Sequence, residues 1–258
     1  MQRRAIKSAL RTFEVLELFA ERRKPLHLNE IYTVLGYPQS STTNLLKSMV
    51  LLGYLNYNRV TRTYLPTQRV GALGSWISSY IQAEGGYREL VDDLQQRTDE
   101  TAVLMTQNDL FIQYLFIKAP DHEFKRPPID GGMRMLVDSC GGRALLSRMS
   151  DPQIDMICRY TNHYEMAGTD RVSIEDVMRD IRWIRHTGYA YVPKRPTPDV
   201  SSIAIALDAD LHGIPLALGI GGMAERVDAN KVELLATMRN VAEEFSARRR
   251  QMADAIIH

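Results

Sequence analysis

Gly53 separates two stretches that cannot share one secondary structure. Before it, from Pro38–Ser40 to Leu52, no Gly or Pro interrupts a run that reads as a helix. After it, YLNYNRVTRTYLP is dense in Tyr, Val and Thr, with Asn58 and Arg59 at its centre, and reads as a β-hairpin. Two helices are expected upstream. One spans 5–20, with Ile6, Ala9, Leu10, Phe13, Leu16 and Ala20 in helical spacing; the other spans 29–35, with Asn29 as N-cap and Gly36 in the following turn. Helix, helix, tight turn, helix, hairpin within residues 1–66 is the layout of a winged helix-turn-helix.

The third helix has two unlike faces. At about 100° per residue, Leu45, Met49 and Leu52 fall on one side, and Ser40, Thr43 and Lys47 on nearly the opposite side with Asn44 on the flank. The polar side offers groups that hydrogen-bond base edges or phosphates. Charge favours the same use. Residues 1–74 hold eleven Lys or Arg against four acids, and no Asp or Glu occurs between Glu30 and Glu84. The remainder of the chain has six more acids than bases, so a basic module precedes an acidic one. The expected DNA contacts are Gln39, Ser40, Ser41, Thr43, Asn44 and Lys47 on the helix and Arg59 and Arg62 on the wing.

Residues 67–84 read as a linker helix with Val70, Leu73, Ile77, Tyr80 and Ile81 as its apolar stripe, and Gly85-Gly86 marks the boundary to a domain over 85–258. That domain alternates helices and strands, an α/β (α+β) pattern. Helices are expected at 87–98, 141–149, 152–160, from Ser173 as N-cap to His186, and from 228 to 257. Strands are expected at TAVLMTQ and LFIQYLFI about an Asn108-Asp109 turn, at GYAYV, and at SSIAIAL and GIPLALGI about an Asp208–His212 turn. Asp121–Lys125 reads as a solvated loop.

Other classes find little support. The run of apolar residues a membrane span needs, roughly 18–20, is absent, Glu14 and Glu17 break the stretch a secretory signal would use, and two cysteines make no disulfide framework; the expected location is the cytoplasm. His27, His122, His163, His186, His212 and His258 show no metal-ligand spacing with Cys, Asp or Glu, and no nucleophile elbow, Walker loop or dinucleotide fingerprint occurs. No cofactor or metal is expected. Three readings remain: a ligand-controlled DNA-binding regulator that is not an enzyme, a small-molecule-processing enzyme with an accessory winged helix, and a winged-helix interaction protein.

GYPQSSTTNLLKSMVLLGYL, the hairpin and RVGALG, followed by RMLVDSCGGRALLSRM, GYAYV and SSIAIALDADLHGIPLALGIGG, resemble the IclR family of bacterial transcriptional regulators in order and spacing along essentially the whole chain. The resemblance implies a linker helix that helps dimerise the protein and a GAF-like effector domain with a curved antiparallel sheet. It also implies palindromic operators bound by homodimers or homotetramers, and responses to small organic acids and aromatic catabolites. It places effector contacts at Cys140, Gly141 and Gly142, at Val192 and Ser202, and at Gly219, Ile220 and Gly221. Where the recognition helix of the family commonly carries Arg, this chain has Asn44, which prefers adenine to guanine. An acid and a thiol typical of glyoxylate sensors are here Val192 and Ser202, which implies a less polar pocket and a larger, partly aromatic carboxylate as effector.

Overall fold

The computed structural model describes residues 6–83, 86–121, 131–166, 171–195, 198–211 and 213–257. Gly85, His122, His212, His258 and positions 122–125 of the expected surface loop lie outside these residues. The chain forms two compact units, one ending at Tyr80 and the other beginning at Ile81.

In the first unit, α1 (Lys7–Arg22), α2 (Leu28–Leu35) and α3 (Gln39–Leu51) precede a hairpin of β2 (Leu55–Asn58) and β3 (Thr63–Pro66), and α4 (Gln68–Ala83) follows. A two-residue strand, β1 (Leu26–His27), pairs with β3 and completes a three-stranded antiparallel sheet. Val15, Leu18 and Phe19 of α1, Ile31 of α2, Leu46 and Met49 of α3, and Leu26, Leu55 and Tyr64 of the sheet form one core. The cap of α2 differs from the expected Asn29. His27 is the N-cap, because the Glu30 carboxylate reaches back to accept from the His27 N–H at 2.7 Å. That bond also holds the Glu30 carboxyl below its ordinary range.

In the second unit the strands β4 (Thr101–Asn108), β5 (Phe111–Lys118), β6 (Met133–Met135), β7 (Ala190–Val192), β8 (Val200–Leu211) and β9 (Ile214–Met223) make an antiparallel, curled sheet in the order β6-β5-β4-β9-β8-β7 among the described residues. Side chains alternate across it. One face, with Val103, Met105, Val192, Ala204 and Ala217, packs on α6 (Cys140–Leu146), α7 (Asp151–Tyr164) and α8 (Ile174–Thr187). The other, with Ala102, Leu104, Ile203, Leu218 and Ile220, packs on α5 (Tyr87–Thr98), α9 (Ala224–Ala229) and α10 (Lys231–Ile257).

The mixed helix-and-sheet class expected from the sequence is the one observed, and Ser173 caps α8 by accepting from the Asp176 N–H at 3.2 Å. The last helical stretch differs: it begins at Ala224 and is interrupted at Asn230. β8 also continues past Leu207 to Leu211, through an irregularity between Ala206 and Asp210. The extra strand residues preserve pairing with β9, which alternation alone did not reveal.

Candidate functional site

Two surfaces hold the residues singled out from sequence, one in each unit. On α3 the buried positions are Thr42, Leu46 and Met49. Leu52, expected on the apolar side, is 58% exposed instead. The helix is therefore turned so that Ser40, Asn44 and Lys47 lie opposite its buried face, all exposed, while Thr43 sits half-buried at the flank. Asn44 is thus central to the solvent face rather than marginal. Gln39 is exposed at the helix start, and Ser41 turns toward α1, its Oγ accepting from Arg11 Nη1 at 3.3 Å.

Local contacts fix this helix. The Arg11 guanidinium lies 4.4 Å from the centre of the Tyr37 ring, and the Tyr37 hydroxyl donates to Glu14. Pro38 O accepts from Ser41 Oγ at 3.0 Å and Thr42 Oγ1 at 3.0 Å, tying the first turn down. Thr43 Oγ1 donates to Gln39 O at 2.8 Å, which leaves its oxygen lone pairs for an external donor. On the wing, Asn58 Oδ1 accepts from Val60 N at 2.9 Å and Thr61 N at 3.2 Å, and Arg62 adopts a left-handed conformation at φ 55°. Arg59 and Arg62 project from this ordered tip, and neither they nor Lys47 enter an ion pair among the described residues.

The same unit leaves apolar surface uncovered. Ile6, Leu10 and Phe13 lie along one side of α1, and Leu73, Trp76 and Ile77 along α4; all six are exposed. Contiguous apolar exposure of this kind marks an interaction surface.

In the second unit, strand register brings together most of the expected ligand residues. Val192 pairs with Ser202, and Ser202 with Gly221, so the three form one row on the face covered by α6. Cys140, at the start of α6, donates its thiol hydrogen to Ser202 O and Ala190 O, each at 3.4 Å. Gly219 is one step along β9, on the same face. Ile220 does not join them: its side chain packs with Leu104, Ile203 and Leu218 on the opposite face.

The glycines here serve close packing. A Cβ on Gly141 would stand 2.5 Å from the Met105 sulfur, and one on Gly219 2.7 Å from Met105 Cε. Met105 therefore fills the space between α6 and the sheet. Over Gly221, by contrast, no described atom lies within 4 Å of a Cβ position. The Gly142 N–H, one of the effector contacts the resemblance implied, donates to Ser139 Oγ at 3.0 Å. Burial pushes the Cys140 thiol from its ordinary 9.0 up to about 12, so it is a packed donor and not a thiolate nucleophile.

One residue of this row was invisible in the sequence. Thr101 pairs with Gly221 from the β4 side and shares the face of Val103 and Met105. It is buried, and its hydroxyl has no hydrogen-bond partner among the described residues.

A separate cleft of about 580 Å³ lies on the other face, between β8 and α10, lined by Asp208, Asp210, Arg239, Glu243, Arg249 and Arg250 among others. Its acidic and basic walls match in number, and Arg249 is engaged with the Tyr87 hydroxyl.

Comparison with known proteins matches both units. The IclR helix-turn-helix domain model covers residues 8–59, and the model of the bacterial transcriptional regulator IclR C-terminal domain covers 86–247. The chain is similar to the HTH-type transcriptional regulator XynR of Escherichia coli strain K12, 21% identical over 227 residues, covering 86% of this chain and 88% of XynR. It is 24% identical over 250 residues to the acetate operon repressor of Salmonella typhimurium strain LT2, covering 90% and 86% of the two chains. It shares its fold with an IclR homolog from Microbacterium hydrocarbonoxydans solved with 4-hydroxybenzoate: TM-score 0.67, 18% identity, 93% of this chain and 99% of that one.

Proposed function

The chain belongs to the IclR family of bacterial transcriptional regulators, and from that premise we propose that it binds operator DNA through α3 and the wing and releases or reshapes that contact when an organic acid occupies the second unit. The observation that carries the reading is the solvent face of α3: Ser40, Asn44 and Lys47 point outward together, and the wing that follows exposes Arg59 and Arg62, in a stretch free of acids from Glu30 to Glu84. Gln39 and Thr43 flank the groove-facing side chains, and Ser41 positions the helix start against α1.

Each phosphate neutralised by these cations steepens the dependence of log affinity on log salt by about 0.9. An exposed Asn such as Asn44 suits a bidentate contact to adenine N6 and N7, so an A·T pair is expected at that step of each half-site. Exposed Ile6, Leu10 and Phe13 of α1, with Leu73, Trp76 and Ile77 of α4, are the surfaces that pair protomers. A homodimer, or a homotetramer of such dimers, presents two recognition helices to a palindromic site. The protein works in the cytoplasm, where that DNA is.

The effector is a small organic acid of aromatic type, and the controlled genes belong to its catabolism. Val192 and Ser202 make the row less acidic than a glyoxylate site, and a protein of the same fold takes 4-hydroxybenzoate. Cys140, Gly141, Gly142, Gly219 and Gly221 shape the pocket wall, with Ile220 holding β9 from behind. A coupling of about 1–3 kcal/mol between pocket and DNA changes operator affinity about 5- to 150-fold.

Fluorescence anisotropy with DNA from upstream of the chain's own gene, with and without aromatic and aliphatic acids, tests the reading. Tight, salt-dependent binding that an aromatic acid alters by at least about fivefold is expected. Equal affinity for unrelated DNA, or no binding, would contradict it.

A further inference from the structure

We infer that Thr101 is a ligand-contacting residue of the effector pocket, and that with Ser202 it selects acids carrying a second oxygen at the far end of the molecule. The inference deepens the effector reading above and rests on it.

A buried hydroxyl without a partner is unfavourable, and chains tolerate few of them. Among the described residues, the other buried serine and threonine hydroxyls outside α7 are used: Thr42 donates to Pro38 O, Thr106 to Pro215 O, Ser139 accepts from Gly142 N, and Ser201 from Lys194 N. Thr101 and Thr161 are the exceptions. Thr161 belongs to α7, within the helical layer. Thr101 belongs to the sheet and is register partner of Gly221, where the face opens. Its side chain points to that face, since Val103, two residues on, packs with Cys140 and Val192, whereas Ala102 packs behind the sheet.

The row Val192–Ser202–Gly221–Thr101 therefore has a hydroxyl on each side of a glycine that contributes no side chain. Ser202 and Thr101 are two strand spacings apart, about 9–10 Å. With a hydrogen bond of about 2.8 Å at each end, a molecule lying over Gly221 meets both hydroxyls if its own oxygens are roughly 4–8 Å apart. The carboxylate and ring hydroxyl of a para-substituted benzoate satisfy that span; the oxygens of benzoate or glyoxylate are too close together. Rotation about the Cα–Cβ bond of Thr101, between staggered positions, turns the hydroxyl toward the ligand.

Calorimetry on the full chain with 4-hydroxybenzoate, benzoate and glyoxylate as probes tests this, with Thr101→Val and Thr101→Ser as variants and thermal unfolding of each without ligand. The wild type is expected to bind 4-hydroxybenzoate at least about fivefold more tightly than the other two, Thr101→Val to lose about tenfold for that acid alone, and Thr101→Ser to retain it. The unliganded Thr101→Val chain is expected to unfold no earlier than the wild type. Equal binding by Thr101→Val, no preference for 4-hydroxybenzoate, absence of binding by all three acids, or earlier unfolding of Thr101→Val each overturns the inference. Binding of the acids that Thr101→Val leaves unchanged fails the inference alone, whereas absence of binding by all three acids fails the effector reading beneath it as well.

Discussion

Arg226 holds Glu100 with two parallel hydrogen bonds, Nε to Oε1 at 2.8 Å and Nη2 to Oε2 at 2.9 Å, and Glu100 is only 3% exposed. The pair joins the start of β4 to α9 at the end of the sheet where Thr101 and Gly221 sit. Gly222 completes the arrangement, because a Cβ there would overlap the Glu100 carboxylate.

Removing one partner leaves a buried carboxylate alone. Arg226→Met is expected to destabilise the second unit by about 2 kcal/mol, below the range for fully buried pairs because the arginine is partly solvated. Gly222→Ala displaces the same carboxylate, so the double variant should lose less than the sum of the singles. Urea unfolding monitored by circular dichroism measures all three.

The glycines of α6 and β9 should rank by what they abut. Gly142→Ala meets the Leu136 carbonyl, which is backbone and cannot swing away, and is expected to cost about 3 kcal/mol or more. Gly219→Ala meets the flexible end of Met105, 2.7 Å from its Cε, and is expected to cost about 1–2 kcal/mol. Met105→Ala empties the same space and should destabilise by about 2–4 kcal/mol. Equal effects at Gly142 and Gly219 in thermal melts would contradict the packing described.

Cys140 should be inert in the native protein. Desolvation raises its thiol to about 12 in the folded chain, so iodoacetamide at pH 8 should label it only after denaturation. The folded value lies above the ordinary 9.0. Its contribution to stability is therefore complete below about pH 9 and declines as pH rises toward about 12, where the unfolded chain ionises first. Mass spectrometry after native and denaturing alkylation checks the first statement, and urea midpoints across that pH window check the second.

Asn44→Arg is expected to move the preferred base at the contacted step from adenine to guanine, since guanidinium matches guanine O6 and N7. Binding selection with randomised half-sites reads this out. An unchanged motif would remove Asn44 from base recognition.

The first unit was largely legible because local signals agreed: helical spacing, Gly36 and Gly53 as stops, and a Tyr/Thr-rich hairpin about Asn58. The orientation of α3 was less so. Thr42 is polar by type, yet its hydroxyl is satisfied by Pro38 O, which frees the residue to face the core and turns Leu52 outward. β1 is two residues long and exists through pairing with β3, a contact no local pattern announces. In the second unit, the short β6, which pairs with β5, was missed for the same reason. The resemblance put Ile220 among the effector contacts with its glycine neighbours, but strand alternation sends its side chain to the other face. Thr101 was unreadable in principle, since an unpartnered hydroxyl is a property of packing.

The most direct test of the central claim is a salt titration of operator binding, comparing the wild type with Lys47→Ala and Arg59→Ala. If α3 and the wing lie against a duplex, the log–log slope of the wild type should be steep and each variant should lower it by about 0.9. Slopes identical in all three chains would mean that this cationic face does not touch DNA.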